Sequence, residues 1–261
     1  MSKRNPLEAV LKRDRVVLVA CLIAIGGLAW AHMLHMSSGM EEVHTCHQIT
    51  MPQIQPWGGW ELLAAFSMWV VMMVAMMLPV VSPWILLFSK STRRRDSKPA
   101  SFGLSGSFLL GYLAVWTGYS ALATLGQWGL HSAALLSPQL TCGNPIFGGT
   151  MLLSAGIYQW TPYRDACMAH CRSPLGFFLA SWKEGHSGAF TMGFTHGLYC
   201  VGCCWALMAL SFVFGVMNLH WMVGITVFLL IEKMSSSGPW IGKTAGLLFI
   251  AYGLWMIKGG L

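Results

Sequence analysis

Residues 60–88 read WELLAAFSMWVVMMVAMMLPVVSPWILLF, an apolar run interrupted by a single charge, Glu61. The hydrocarbon core of a bilayer needs about 20 such residues in a helix, so this run is expected to cross it. The chain leaving it is basic at once: Lys90, Arg93, Arg94, Arg95 and Lys98. Such a run followed by such a cluster is the pattern of a span whose downstream end faces the cytoplasm.

The rest of the sequence agrees. Hydrophobic residues make up 55% of the 261 positions and charged residues 10%, against about 25% charged in a soluble domain. That leaves too little polar surface for a water-soluble body. Apolar runs suggest spans near 16–34, 60–88, 102–130, 146–160, 189–213, 218–231 and 240–257. The expected fold is an all-α, polytopic helix bundle of about seven spans. The fourth and sixth runs are short, so six or eight would also fit.

Charge placement fixes the expected orientation. Of the 16 Lys and Arg, all but Lys258 fall on one side of that arrangement. The positive-inside bias makes that side cytoplasmic, with the N-terminus inside and the C-terminus outside. The net charge of +7 is thereby explained as topological anchoring, and no nucleic-acid partner is expected. A basic start, the apolar stretch from Val16 and the triplet Ala29-Trp30-Ala31 imitate a cleavable signal. The apolar run is long for one, and a retained first helix is expected. With no repeat and no linker, residues 1–261 are expected to form one membrane domain.

Two connectors have unusual content. The outer loop, 32–57, carries His32, Met33, His35, Met36, Met40, His44, Cys46, His47 and Met51. The inner loop, 161–187, carries Cys167, His170, Cys171 and His186, with Pro162, Pro174 and Gly176 interrupting helix. It is expected to be a short amphipathic or re-entrant segment. Cys46 and Cys142 fall on outer loops, where either a disulfide or metal ligation is expected.

The third unusual region lies inside a span. Met192, His196, Cys200 and Cys203 fall within about 80° of arc on one helical face, with Cys204 and Met208 on its flank. A single buried cysteine is commonly a small hydrophobe. Three within five residues, one turn from a histidine at membrane depth, point instead to ligation, because polar groups there are costly and usually functional. Thiolate, thioether and imidazole select copper(I), and thiolate with imidazole also suits zinc. Copper is therefore expected ahead of zinc or iron. The second span adds Met68, Met72, Met73, Met76 and Met77. A methionine stripe is ordinary packing, but Met72 and Met76 also offer a column of thioethers for a soft ion. Pro79 is expected to break or kink this helix. Glu232, beside Lys233, is expected to form an interfacial ion pair. The chain contains no P-loop, dinucleotide fingerprint, zinc-protease helix or paired intramembrane carboxylates.

The strings MWVVMMVAMMLP (68–79), YQWTP (158–162), CMAHCRSPLG (167–176) and HGLYCVGCCWALM (196–208) resemble a bacterial family. It is the family of predicted metal-binding integral membrane proteins of uncharacterised function. GVMNL (215–219) and the Glu232-Lys233 pair fit as well, so the resemblance runs from about Trp57 to the C-terminus. It implies metal binding at the cysteines and a multi-pass protein of the bacterial inner membrane. The departure is in the outer loop, where histidines join the usual methionines.

The expected function is copper handling: transport, delivery or metallation of a partner, either a metalloenzyme or a periplasmic copper protein. The alternative is a membrane metallo-oxidoreductase, an oxidase or monooxygenase or a subunit of one. A structural subunit with packing cysteines is the third reading. Candidate ligands are His196, Cys200, Cys203, Cys204, Cys167, His170, Cys171, Met72, Met76, His32, His35, His44, Cys46 and His47.

Overall fold

A computed structural model describes residues 6–47, 57–95, 101–133 and 144–259, with side chains described in these stretches except at 6–15, 38–47, 93–95 and 101. Every regular element among the described residues is helical: α1 (Pro6–His47), α2 (Gly59–Arg95), α3 (Ser101–Ser132), α4 (Pro145–Tyr158), α5 (Pro162–Arg172), α6 (Pro174–Ala180), α7 (Gly185–Ala209), α8 (Ser211–Phe214), α9 (Leu219–Met234) and α10 (Gly238–Gly259).

Among the described residues, five stretches are long and apolar enough to cross a membrane: Val16–Ser37, Gly59–Thr92, Phe102–Ser132, Gly185–Phe214 and Gly238–Gly259. The protein is a multi-pass membrane protein. The other two expected spans correspond to α4 and α9, of 14 and 16 residues, shorter than a full crossing. The α2 and α7 spans are each 56% buried, against 22% for α1 and 17% for α10. The middle of the bundle is therefore α2 and α7 with α3 between them, and α1 and α10 lie outside.

Local chemistry explains where the short helices begin. Asn144 caps α4 by accepting from the Ile146 and Phe147 amides, with Pro145 in the first turn. Thr161 caps α5 in the same way, with Pro162 following. Pro174 opens α6, and Asn218 caps α9 through the Trp221 amide. In the first turn proline loses nothing, because its missing N–H would be unpartnered there anyway. The inner connector is thus two short helices, and Gly185, at φ +75°, turns the chain into α7.

Of the two outcomes expected at Pro79, the break is absent: α2 continues through both Pro79 and Pro83 to Arg95. Each proline deprives the carbonyl four residues earlier of its donor. The Trp30 indole of α1 donates to the Ala75 carbonyl at 3.0 Å, and the Ser82 hydroxyl donates to that of Pro79 at 2.8 Å. Both orphaned acceptors are filled, so the helix survives. The outer segment from His32 is also not a loop over its whole length: its backbone is helical to His47. After Pro6 the next proline is Pro52, so none stops α1 at the membrane edge.

Glycines bring two helix pairs close. A Cβ on Gly149 would lie 2.7 Å from the Gly253 carbonyl, and one on Gly156 would lie 2.7 Å from that of Gly246. This seats α4 directly on α10. Gly111 and Gly193 do the same for α3 and α7. Between helices in lipid, close backbone approach through small residues supplies attraction that apolar side chains alone do not.

Candidate metal centre

The face of α7 picked out by its spacing points inward. Met192, His196, Cys200, Cys203, Cys204 and Met208 are all buried. Against it packs α5, whose Cys171 is also buried and whose Cys167 is half-buried. The Cys171 and Cys203 sulfurs lie 3.8 Å apart. Two sulfurs bound at ~2.3 Å to one ion, at a tetrahedral angle, are ~3.8 Å apart. Cys171 of α5 therefore faces Cys203 of α7 across a single buried contact.

The remaining thiols surround that pair. The Cys203 and Cys204 thiols donate to the Cys200 carbonyl at 3.1 and 2.9 Å, as a thiol one turn along a helix does. Cys200 Sγ lies 3.1 Å from the Tyr112 hydroxyl of α3 and accepts from the Lys233 ammonium of α9 at 3.0 Å. Cys167 Sγ rests on the α7 backbone, where a Cβ on Gly202 would come within 2.7 Å of it. Hydrogen bonds with Cys200 and Cys203 hold the Cys171 thiol well above its ordinary range, and burial pushes Cys167 up. Among the described residues, no three His, Cys, Asp or Glu groups converge into a finished coordination set. The backbone supplies a facing sulfur pair, with Cys200 and Cys204 beside it on α7.

His196 lies one turn from Cys200 in an aromatic cage. It stacks on Trp84 with centroids 3.7 Å apart, and Tyr112 and Phe108 lie at 5.5 and 6.2 Å. It is buried, and its Nδ1 has no hydrogen-bond partner among the described residues. Trp84 also donates to the Cys171 carbonyl at 3.2 Å, so one indole braces both α5 and the histidine.

Other candidates stand apart. His170 is exposed, stacks on Tyr199 at 4.2 Å, and places Nδ1 2.9 Å from the Ala166 carbonyl. Met72 and Met76 are fully buried in the core. His32 and His35 lie exposed on α1. The side chains of His44, Cys46 and His47, and all of Cys142, lie outside the described residues.

Glu232 does not pair with Lys233. It is fully buried and salt-bridged to the equally buried Arg164 of α5. Adjacent residues on a helix point about 100° apart, so Glu232 turns to α5 while Lys233 turns to α7. Lys233, Tyr112, Trp84 and Arg164 are the site's neighbours that spacing did not reveal.

A family model described as PpoB2, copper chaperone, matches residues 66–256. That stretch contains α3 to α9 whole and every thiol of α5 and α7, and it leaves out the histidines of α1. Comparison with curated proteins and with solved structures gives no match. The match covers most of the chain, which therefore belongs to this copper chaperone family and handles copper for delivery.

Proposed function

From membership of a copper chaperone family, we infer that this membrane protein carries copper(I) on Cys171, Cys200 and Cys203. The observation behind this reading is the 3.8 Å approach of Cys171 and Cys203, from different helices, beside Cys200. Ligands of this softness favour copper(I). Cys204 supplies a further thiol, and His196 Nδ1, buried without a partner, offers a donor one turn along α7.

Delivery requires exchange without release of a free ion. Copper(I) moves when an incoming sulfur or imidazole binds before a resident cysteine leaves, and no electron is transferred. Cys167, half-buried at the rim of the cluster, is the sulfur through which exchange proceeds, with His170 beside it. Thiols lose their protons as metal binds. Met72 and Met76 continue the soft-ligand path, and His32, His35, His44, Cys46 and His47 form its outer station. The client is a metalloenzyme or a periplasmic copper protein.

In this reading α4 and α9 complete seven spans in a bacterial inner membrane, N-terminus inside and C-terminus outside. Both are packed against longer helices, which lets a short helix serve. The basic residues assigned to the inner side also meet in space. Lys243 lies 3.4 Å from Asp165, and Arg172 donates to the Ser235 and Ser236 carbonyls at 2.5 and 3.0 Å.

Protein purified in detergent, reduced without oxygen, loaded with copper(I) and washed with a competing chelator is expected to retain roughly one copper per chain. Cys171→Ser combined with Cys203→Ser is expected to abolish retention. Full retention by that folded double variant would overturn the site.

A further inference from the structure

The sulfur cluster sits where the short helices stop. Tyr158, the last residue of α4, donates to the Gly202 carbonyl at 2.5 Å, and Lys233, one residue from the end of α9, lies 3.0 Å from Cys200 Sγ. Beyond that level α2 runs eleven residues further, from Trp84 to Arg95, and α3 begins eleven residues before Tyr112. Each extension is about 16 Å long at 1.5 Å per residue. The cluster therefore lies toward the end of the bundle that carries the basic residues.

Access differs in the two directions. Outward along α7, Cys204, Leu207, Met208 and Leu210 are buried, and Trp69 packs on Phe212 at 5.2 Å. Inward, Cys167 is half-buried and His170 is exposed on the same helix. Charge is uneven as well. Arg172 is bonded to carbonyls, and Lys183 is exposed. Among the described residues neither has a carboxylate within ion-pair distance.

We propose that the cluster is filled from the inner side by copper(I) carried on a small anionic thiol, a thiol peptide bearing carboxylates, which Arg172 and Lys183 attract and which hands its ion to Cys167. This rests on the reading that the cysteines bind copper, and adds the donor and its side. In the handover a copper–sulfur bond forms to Cys167 Sγ as the bond to the carrier sulfur breaks. The Cys167 proton leaves on the carrier thiol, and copper stays copper(I). Positive charge around the rim raises the on-rate of an anionic carrier, an effect that salt screens. Two turns of one short helix suffice for a small carrier, whereas a stable protein interface engages about 20–30 residues a side.

The test uses the full chain in membrane vesicles without oxygen. Copper(I)–glutathione is the impermeant probe, and copper is counted on the protein after purification. Initial filling is expected to be at least about tenfold faster in inverted vesicles, which expose the inner face, than in right-side-out ones. In detergent, Cys167→Ser is expected to slow filling about tenfold, because the attacking thiolate is lost. Lys183→Gln should slow it several-fold and weaken its dependence on salt. Cys21→Ser, which removes an exposed thiol of α1, and Lys258→Gln, at the far end of α10, should match wild type. Equal or faster filling from the outer face overturns the proposal. So do Cys167→Ser and Lys183→Gln rates equal to wild type, or an equal loss in Lys258→Gln. Wild type that takes up no copper even in detergent would instead remove the copper reading. Wild type that fills in detergent but shows no preference for the inner face would remove this proposal alone.

Discussion

Arg164 and Glu232 are both fully buried and salt-bridged, and each still has side-chain atoms without a hydrogen-bond partner. Burial pulls the Arg164 guanidinium below its ordinary value. Such a pair adds little net stability, but breaking it leaves an uncompensated charge, which costs about 3–5 kcal/mol. Glu232→Gln keeps the shape and removes the charge. It is expected to lower the thermal midpoint in detergent sharply, whereas Asp165→Asn, at a partly exposed position, should barely move it. Equal midpoints for the two variants would contradict the structure. The same residues mark what spacing revealed. Cys200 and Cys203 were legible because helical periodicity places them on one face. The partner of Glu232 was not, since sequence adjacency suggested Lys233 while the helix turns the two apart.

Elements hold the site through a few cross-helix contacts. Trp30 of α1 fills the carbonyl that Pro79 leaves vacant in α2, and α2 carries Trp84, which stacks on His196 and bonds the Cys171 carbonyl. Trp30→Phe keeps most of the packing and orphans the Ala75 carbonyl, at a cost of about 1–3 kcal/mol. The variant is expected to unfold earlier on heating yet retain copper at low temperature; a midpoint equal to wild type would mean the indole bond contributes nothing. At this scale the apolar helices were legible in the sequence, whereas the choice between a break and a kink at Pro79 was not, because a proline's effect depends on donors from distant chain. The docking of α5 on α7 was equally hidden. Cys-x3-Cys shows that Cys167 and Cys171 share a face, but only tertiary packing shows that the face meets Cys203.

At the scale of the whole molecule, the short helices and the charges define one side. Arg164 and Arg172 of α5, Lys233 of α9 and Lys243 of α10 come from three helices and gather where these meet. A bundle with five crossings or with seven has its termini on opposite faces, so terminal reporters alone do not distinguish the two. The loop between α8 and α9 does, because it lies outside only if α9 crosses. In the chain with every native cysteine replaced by serine, a cysteine introduced as Asn218→Cys is expected to react with an impermeant thiol reagent on intact cells. One introduced as Ser236→Cys, beyond the other end of α9, is expected to react only after permeabilisation. Labelling of both from outside, or of neither, would show that α9 does not cross. The seven-span arrangement would then fail, while the facing of Cys171 and Cys203, a contact within the bundle, would stand.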